Sequence, residues 1–343
     1  MPGHDIHHAF IAWARTQLEQ RKRRLFDRMA TRSGISHRWS ILPEGADGAS
    51  PVDPGGFYAV SPLPGTGERM KIYAIAAPDL AIEAIEALVA RTELGAISHL
   101  VVASCTGFVA PGIDQIIAAR MGLAPSVERL LVGFMGCYAA VAALRSARHI
   151  VRSDPAARVL VVTVELSTLH LQVAHELEPL LAMLQFGDGA AAGLVTAEPV
   201  GFALEAPFAT TLPDSAELIR WDITDRGFAM HLSGQVPARI AAGLADPEFA
   251  AAATGGVDPA EVDGWAVHAG GRSILDAVER ALALPEDALA TSRSVLEEVG
   301  NMSSATLMFV LASLLEGPPV ARGVALAFGP GLAAEGLRFR SAP

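Results

Sequence analysis

A cysteine at a predicted strand-to-helix turn is a candidate for a reactive side chain. Cys137 lies in the segment FMGCYAA, where an apolar strand ends, Gly136 permits a sharp turn and a helix begins. The first turn of a helix carries partial positive charge and unpaired N–H groups, which lower the pKa of a thiol and favour the thiolate. The same position also suits a small buried residue that fills a tight helix start. Cys137 is therefore a candidate nucleophile, with a purely structural role as the alternative.

Two nitrogen-bearing side chains in the second half of the chain suit the same chemistry. His268 ends the apolar strand WAVH before two glycines, and α/β enzymes place functional groups at the carboxyl ends of such strands. Asn301, in GNMSSA, opens a very apolar helix, either as its N-cap or as an amide donor to an oxyanion. A thiolate that accepts an acyl group, beside His and Asn donors that hold a second thioester as it becomes an enolate, suits thioester chemistry.

Short apolar strands that alternate with helices are predicted to position these three residues. The patterns predict strands at 99–104, 129–134, 158–165, 264–268 and 323–328, and one more that ends at residue 195 after a turn at 186–189. They predict helices within the first forty residues and at 78–91, 113–121, 137–151, 236–244, 274–284 and 304–315, and a long loop at 43–67. Such alternation is typical of mostly parallel sheets covered on both faces.

The composition excludes several classes of protein. The 343 residues are 51% hydrophobic and 18% charged, with a net charge of -11, which is too apolar for a disordered chain and too acidic for a nucleic-acid binder. Two cysteines cannot build a disulfide framework, which indicates free thiols and a reducing, cytoplasmic environment. No segment approaches the run of about 20 apolar residues that a membrane span needs.

Two weaker patterns have more ordinary explanations. The segment 187–192 fits a dinucleotide-binding pattern, but Asp188 would lie against a pyrophosphate and no strong strand precedes it. His4, His7 and His8 share a helical face near the terminus, where adventitious metal binding is the usual outcome. We therefore expect no metal site and no bound dinucleotide.

Taken together, the motifs resemble the type III polyketide synthases, the chalcone synthase-like enzymes of the thiolase fold. The segments GNMSSA at 300–305 and FGPGL at 328–332 are similar to the most characteristic stretches of that family. FGDGAA at 186–191 resembles its gatekeeper segment, and HAGGRSILD at 268–276 resembles its histidine segment. The resemblance runs from about residue 10 to residue 340, and its details look bacterial rather than plant-like.

The resemblance implies an α/β thiolase fold, a layered αβαβα arrangement with two mixed sheets around central helices. One thiolase-like half would span residues 1–200 with the nucleophile and gatekeeper, and the other residues 201–343 with the His and Asn. The family normally opens with a strand before the first helix, whereas this sequence begins almost at the helix. We therefore expect either a misassigned start codon or a sheet that lacks one strand.

The resemblance also implies roles for the site residues. Cys137 would carry the starter and the growing polyketide, while His268 and Asn301 would hold the malonyl-CoA thioester oxygen, promote decarboxylation and stabilise the enolate. His268 would in addition keep Cys137 as a thiolate in an ion pair. Phe186 matches the gatekeeper between the CoA tunnel and the cavity, where an aromatic ring disfavours a carboxylate and favours neutral CO2.

Further positions match CoA contacts and cavity walls. Arg28 and Arg32 match basic residues that meet CoA phosphates in plant members, while Leu25 stands where a third basic residue is common. Met230 replaces a second gatekeeper Phe, and Trp221 replaces a small residue, so its ring is expected to remove cavity volume. The residues that would line the cavity or its gate are Cys105, Thr106, Ser167, His170, Trp221 and Met230.

The implied protein is a homodimeric, cytoplasmic synthase that needs no metal or bound cofactor. It would load an acyl-CoA, extend it by decarboxylative condensation with malonyl-CoA, and cyclise the chain to a pyrone or a phenolic ring. The alternatives are a ketoacyl synthase III-like enzyme that condenses once on an acyl carrier protein, an inactive acyl-CoA-binding member of the fold, and a Cys–His hydrolase. The Met-Ser-Ser after Asn301 favours the polyketide synthase, and the starter, the number of extensions and the mode of ring closure stay open.

Overall fold

The computed structural model of the protein describes residues 2–43 and 50–343. Its helices are α1 (His7–Gln17), α2 (Gln20–Thr31), α3 (Thr66–Val89), α4 (Ile113–Arg120), α5 (Ala139–Ser153), α6 (Leu177–Met183), α7 (Val236–Leu244), α8 (Pro247–Thr254), α9 (Arg272–Ala281), α10 (Ala290–Val299) and α11 (Ser304–Leu315). Its strands are β1 (His4–Asp5), β2 (Trp39–Ser40), β3 (His99–Ser104), β4 (Glu128–Gly133), β5 (Val159–Leu166), β6 (Asp188–Val195), β7 (Phe202–Thr211), β8 (Ile219–Thr224), β9 (Gly227–Leu232), β10 (Gly264–Val267), β11 (Gly323–Gly329) and β12 (Ala333–Ser341).

Two four-stranded mixed sheets carry the fold. The first has the order β4-β3-β5-β6, in which β3 is parallel to β4 and β5, and β6 is antiparallel to β5. The second has the order β10-β11-β12-β7, with a parallel pair, β10 and β11, and two antiparallel pairs. The two mixed sheets implied by the resemblance are confirmed, whereas the mostly parallel sheet expected from the strand pattern is wrong, because antiparallel strands complete both sheets.

Helices α5 and α11 lie between the sheets. One core cluster joins them to the inner faces of β3, β5, β11 and β12. Helices α3 and α4 cover the other face of the first sheet, and α7, α9 and α10 cover the other face of the second. Both faces of β3 and β5 are therefore buried, which explains why these strands are continuous apolar runs without polar alternation.

Small side chains allow α5 to fit between two sheets. Ala139, Ala140, Ala143 and Ala147 are completely buried, and they leave room for the strands on either side. The amino end of this helix is the point where the sequence places Cys137.

Several predicted boundaries move in the structure. The helix predicted at 78–91 already begins at Thr66, because Pro78 lies inside α3 rather than at its first turn. This shortens the loop predicted at 43–67, of which residues 44–49 lie outside the described residues. Strand β1 pairs with β2 outside both large sheets, so a short strand does precede the first helix; the expected loss of a strand stays a prediction. In the part of the chain that the structure describes, no helix combines the length and apolarity that crossing a membrane requires.

Candidate active site

Cys137 lies in a tight one-turn helix between β4 and α5, as the sequence predicts. This turn spans Gly136–Tyr138, and α5 follows directly. Gly136 has a φ of 73°, and a Cβ atom built on it would lie 2.4 Å from Cδ of Pro330. Phe134, three residues before the cysteine, also has a positive φ of 56°. Glycine adopts a positive φ without strain, but at Phe134 it costs about 1–3 kcal/mol, and such strain persists only where the surrounding structure fixes it.

His268 follows β10 and is held by its backbone rather than by its side chain. Its N–H donates to the carbonyl oxygen of Leu326 at 2.8 Å. The imidazole is 1% exposed, and neither ring nitrogen has a hydrogen-bond partner among the described residues. Because buried polar atoms are normally paired, both nitrogens are free to bind a substrate group.

Asn301 is held from both sides. Its backbone N–H donates to the carbonyl oxygen of Gln185, and the N–H of Gly187 donates to its carbonyl oxygen, so the residue pairs with the Phe186 segment. Its Nδ2 donates to the carbonyl oxygen of Gly270 at 3.1 Å, and its Oδ1 accepts from the N–H of Ser303 at 2.8 Å. The amide orientation is therefore set, and one N–H of Nδ2 remains available.

The three side chains line one cavity, which we call the cysteine cavity. The volume of this cavity is about 40 Å³, and Phe186 forms part of its wall. Predicted residues that line it are Cys137, His268, Asn301, Phe186, Cys105, Thr106, Trp221 and Met230. The structure thus brings together the predicted nucleophile Cys137, the predicted donors His268 and Asn301, and Phe186 from distant parts of the chain.

Burial disfavours the charged forms of both the thiol and the imidazole. It raises the pKa of the Cys137 thiol to about 12, although hydrogen bonding from the side chains of Ser303 and Asn301 opposes this shift. It lowers the pKa of His268 to about 3. The sequence predicts that the helix terminus lowers the thiol pKa, whereas desolvation in the folded protein raises it. Burial thus favours the neutral forms of the thiol and the imidazole.

Glu165 is a buried carboxyl group that sequence reasoning did not single out. It is fully buried, and burial raises its pKa to about 7. The N–H of Cys105 and the hydroxyl of Thr106 each donate to Oε2 at 2.9 Å, and the hydroxyl of Ser304 donates to Oε1. Glu165 therefore connects the wall formed by Cys105 and Thr106 to the first residue of α11. A lone acidic residue inside the apolar run VLVVTVEL was the available sequence signal.

A second cavity adjoins the first and contains the remaining predicted wall residues. Its volume is about 80 Å³. We call it the arginine cavity, because buried Arg38 lines it. Ser167 and His170 line this cavity and not the cysteine cavity. Phe186, Trp221 and Met230 line both cavities, so these three side chains form the partition between them.

His170 has a structural role in this wall. One ring nitrogen, Nε2, donates to the carbonyl oxygen of Thr106 at 2.7 Å, and the other, Nδ1, accepts from the N–H of Phe228 at 3.0 Å. The ring also stacks on Phe228, with ring centroids 4.2 Å apart. Because both nitrogens are engaged and burial lowers the pKa to about 3, His170 holds a strand in place and transfers no protons.

Arg38 is the second buried polar group that sequence reasoning missed. Its Nη1 donates to the carbonyl oxygens of Phe186 and Met183, and its Nε donates to Nδ1 of His7. Its guanidinium lies over the ring of Phe10. These contacts hold the backbone at Phe186, so Arg38 positions one side chain of the partition between the cavities.

The predicted CoA contacts, Arg28 and Arg32, lie outside both cavities. Arg28 is exposed on α2, and Arg32 is exposed directly after its end. The chain after Arg32 runs past the histidine segment, since a Cβ atom built on Gly34 would lie 3.7 Å from Cδ of Arg272. The chain that follows the two arginines therefore lies near the segment that carries His268.

Family comparison agrees with this geometry over almost the whole chain. The model described as "Chalcone and stilbene synthases, N-terminal domain" matches residues 3–199, and the corresponding C-terminal domain model matches residues 203–343. The chain belongs to the chalcone and stilbene synthase family, the type III polyketide synthases. It is therefore an acyltransferase, and the single-condensation and inactive alternatives are not favoured.

Individual relatives support the same assignment. The chain is 34% identical over 285 residues to "Alpha-pyrone synthesis polyketide synthase-like Pks18" of Mycobacterium tuberculosis. The aligned region covers 79% of this chain and 72% of the relative. It superposes on PKS-I from the brown alga Ectocarpus siliculosus with a TM-score of 0.85 and 30% identity, covering 99% and 95% of the two chains. The type III domain of Steely1 from Dictyostelium shares the fold, with a TM-score of 0.88 at 24% identity and coverage of 100% and 97%.

Proposed function

We propose that this polyketide synthase builds its chain on the sulfur of Cys137. An acyl-CoA transfers its acyl group to Sγ, and CoA leaves as the thiol. Malonyl-CoA then loses CO2, and the electron pair of the broken C–C bond forms an enolate on the thioester. The enolate carbon attacks the acyl carbon on Cys137, the bond from that carbon to Sγ breaks, and the extended chain is then a ketoacyl-CoA. For another extension, Sγ takes this acyl group back and CoA leaves again as the thiol. The observation that supports this sequence is the convergence of Cys137, His268 and Asn301 on one cavity.

His268 and Asn301 are suited to hold the thioester oxygen that becomes negative. Asn301 Nδ2 keeps a second N–H beyond the one that donates to Gly270, and it lies beside the Cys137 thiol. The imidazole of His268 has no hydrogen-bond partner among the described residues. Donors that are already oriented stabilise a developing enolate without reorganisation, and the loss of one such donor typically costs about 10²–10³ in rate.

The neutral resting state assigns a second task to His268. Because burial holds the thiol pKa near 12 and the imidazole pKa near 3, a standing ion pair is disfavoured. His268 lines the same cavity as the thiol and both of its ring nitrogens are unpaired among the described residues, so it is suited to accept the thiol proton as the sulfur attacks the acyl thioester. The proton then passes to the departing CoA sulfur.

The partition residue Phe186 is suited to the decarboxylation step. The cysteine cavity exposes mainly apolar side chains, including the Phe186 ring, Met230 and Trp221. A carboxylate placed against such a wall loses hydration, whereas CO2 does not, so the wall favours the products of decarboxylation.

We propose a fatty acyl or other aliphatic starter and a pyrone product. The arginine cavity adjoins the cysteine cavity, and most of its walls are apolar, with Phe10, Leu42, Leu171 and Phe228 among them. An aliphatic chain attached to Cys137 would fill it past Trp221. The relative from Mycobacterium tuberculosis is named for alpha-pyrone synthesis, and this supports the same ring type here.

Three further parts of the proposal concern CoA, assembly and location. Arg28 and Arg32 bind the phosphates of CoA from the exposed side of α2.

Two copies form a dimer through β4, which is an edge strand. Its Leu130 and Leu131 are 42% and 45% exposed. Exposed apolar edge strands favour pairing with another chain. The enzyme works in the cytoplasm, where acyl-CoA and malonyl-CoA are available. The division into halves of 1–200 and 201–343 is part of the same proposal.

The dimer can be tested without activity. Leu131→Glu places a charge on the edge of β4 and is expected to convert the dimer to a monomer in sedimentation velocity. Val200→Glu is the matched control, because Val200 is also exposed, at 78%, but lies outside β4. A Leu131→Glu protein that sediments like the wild type would contradict the β4 interface.

The catalytic proposal is tested by product analysis with a panel of acyl-CoA starters and malonyl-CoA. Mass spectrometry is expected to show pyrones from the wild type, with preference for aliphatic starters. Cys137→Ala is expected to abolish them while some malonyl-CoA decarboxylation remains, because His268 and Asn301 are intact. Cys105→Ala is the control, since its sulfur lines the same cavity but has no proposed covalent role. Full product formation by Cys137→Ala would refute the assignment.

A further inference from the structure

Helix α2 concentrates positive charge in an otherwise acidic protein. The segment Gln20–Thr31 contains five basic residues and one acidic residue, and Arg32 follows it directly. The whole chain has a net charge of -11. The surface of α2 is therefore suited to an acidic partner, although most of the protein is not.

One face of this helix combines cations with exposed apolar side chains. At 100° per residue, these positions fall within an arc of about 140°. We call it the α2 face, and its residues are Arg21, Arg24, Leu25, Arg28, Met29 and Arg32. All six are exposed, with Leu25 at 40% and Met29 at 43%, while Phe26 and Ala30 on the opposite side are buried in the core.

In the part of the chain that the structure describes, the arginines of the α2 face form no ion pair with a carboxylate. Among the described residues, the ion pairs of this region join Lys22 to Glu176 and Arg15 to Asp27, and none involves Arg21, Arg24, Arg28 or Arg32. The charge of this face is thus available to a partner in solution.

Helix stability does not explain the arrangement. Arg21 and Arg24 lie in the first turns of α2, where positive charge opposes the helix dipole. Arg24 and Arg28, and Arg28 and Arg32, are like charges four residues apart, which is also unfavourable. A cost in stability without an internal partner indicates that the charges serve binding.

CoA alone does not explain the whole α2 face. Its phosphates account for Arg28 and Arg32, which lie towards the carboxyl end of α2. The face continues for about 16 Å from Arg32 back to Arg21. It also includes Leu25 and Met29, and apolar side chains gain nothing from a phosphate. Exposed apolar residues beside a set of cations are instead typical of a protein-binding surface.

The α2 face adjoins the active-site segments. Its carboxyl end leads to Gly34, against which Arg272 packs, four residues after His268. At its other end, Lys22 pairs with Glu176, directly before α6, and α6 ends three residues before Phe186. A partner on this face would therefore lie beside both segments that frame the cysteine cavity.

We propose that the α2 face docks an acidic acyl carrier protein that delivers the starter, a source of acyl groups in addition to acyl-CoA. A carrier protein and CoA present the same phosphopantetheine arm, so one passage to Cys137 serves both. Acidic side chains of the carrier pair with Arg21 and Arg24, and an apolar contact covers Leu25 and Met29. This inference rests on the proposed acylation of Cys137.

The transfer step balances without a further reactant. The acyl carbon forms a bond to Sγ of Cys137 and its bond to the pantetheine sulfur breaks. The proton that leaves the Cys137 thiol through His268 passes to the pantetheine sulfur. The carrier protein departs with a free thiol, and the condensation with malonyl-CoA follows unchanged.

The test compares two donors of the same acyl group. The wild type and variants are supplied with dodecanoyl-CoA or with an acidic bacterial acyl carrier protein loaded with dodecanoate, and malonyl-CoA is the extender. The double variant Arg21→Glu/Arg24→Glu is expected to lower kcat/KM for the carrier by about tenfold or more and to leave kcat/KM for dodecanoyl-CoA within about twofold. Arg152→Glu is the control, because Arg152 is exposed and lies about 22 Å along α5 from the Cys137 end.

A neutral variant separates a protein partner from simple phosphate attraction. Leu25→Ser/Met29→Ser is expected to lower carrier-dependent kcat/KM while its dependence on salt concentration stays as in the wild type. The proposal is overturned if the wild type does not accept the loaded carrier, if both variants leave carrier use unchanged, or if the arginine variant lowers use of carrier and CoA equally. Failure of dodecanoyl-CoA as well as the carrier would instead refute the proposed function.

Discussion

Replacing Glu165 by glutamine is expected to make the protein more stable at alkaline pH. Burial raises the pKa of this carboxyl from 4.5 to about 7, so the folded state binds its proton more tightly than the unfolded state does. A raised folded pKa contributes stability that is complete below pH 4.5 and is lost as the pH rises through 7. Glutamine fills the same space but does not ionise. The stability of Glu165→Gln therefore lacks this loss.

The magnitude follows from the two pKa values. The shift corresponds to roughly 3 to 4 kcal/mol in total at about 1.4 kcal/mol per unit, and most of this falls between pH 5 and pH 8. Glutamine can keep the three hydrogen bonds of this site, because its Oε1 accepts from Cys105 and Thr106 while its Nε2 donates to the hydroxyl of Ser304.

The assay is urea unfolding of the wild type and Glu165→Gln at a series of pH values and one protein concentration. The free energy of unfolding of the variant, minus that of the wild type, should increase by roughly 2 to 3 kcal/mol from pH 5 to pH 8. Glu83→Gln, which removes an exposed carboxylate of α3, controls for the change in net charge. A difference that stays constant or decreases with pH would refute the reasoning that burial of Glu165 is the dominant effect.

Three further predictions concern the cavity. Burial lowers the pKa of His268 in the folded protein to about 3, so the wild type loses stability from pH 7 to pH 5 as the histidine of the unfolded state becomes charged. Over this pH range, the free energy of unfolding of His268→Gln should fall by about 2 kcal/mol less than that of the wild type. An equal fall for both proteins in urea unfolding would contradict this. Because burial holds the thiol pKa near 12, the rate at which iodoacetamide alkylates Cys137 should rise about tenfold per pH unit from pH 6 to pH 9. Peptide mass spectrometry measures this rate. A rate that does not change with pH would indicate a standing ion pair. Trp221→Ala should open the partition and raise kcat/KM for long acyl-CoA relative to short acyl-CoA, by about fourfold for each methylene that becomes buried. Ile223→Ala, an exposed control on the same strand, should leave this ratio unchanged. An unchanged chain-length preference in Trp221→Ala would show that the ring does not limit the cavity.

The sequence predicted the elements that carry the catalytic residues because both sheets are buried on two faces. Apolar runs such as 99–104 and 158–165 are long enough to identify, and they agree with β3 and β5 to within one residue. Helices 236–244 and 304–315 agree with α7 and α11 at both ends. The segment that places Cys137 between a strand and a helix followed from the same reasoning.

Other elements carry no comparable pattern. Strands β7 and β12 pair antiparallel at the edge of the second sheet, and polar residues interrupt both of them. The β8–β9 hairpin, which presents Trp221 and Met230, pairs only with itself in the described structure. Its place beside the cavity depends on long-range contacts, such as the bond from Phe228 to His170, that no local pattern encodes.

Electrostatics was the least predictable part of the site. The helix terminus next to Cys137 is visible in the sequence, but the degree of burial that raises the thiol pKa is a property of the assembled fold. The same holds for Glu165 and Arg38, whose partners lie more than fifty residues away along the chain or in other layers. A single charged residue in an apolar segment indicates a buried network, but its partners appear only in the structure.

The most direct test of the account is to locate the acyl group on the enzyme. Incubation with an aliphatic acyl-CoA in the absence of malonyl-CoA, followed by intact-mass and peptide mass spectrometry, should show one acyl adduct per chain, attached to the sulfur of Cys137. An adduct on Cys105 or on no cysteine, in a protein that still makes polyketide, would contradict the claim that Cys137 carries the chain.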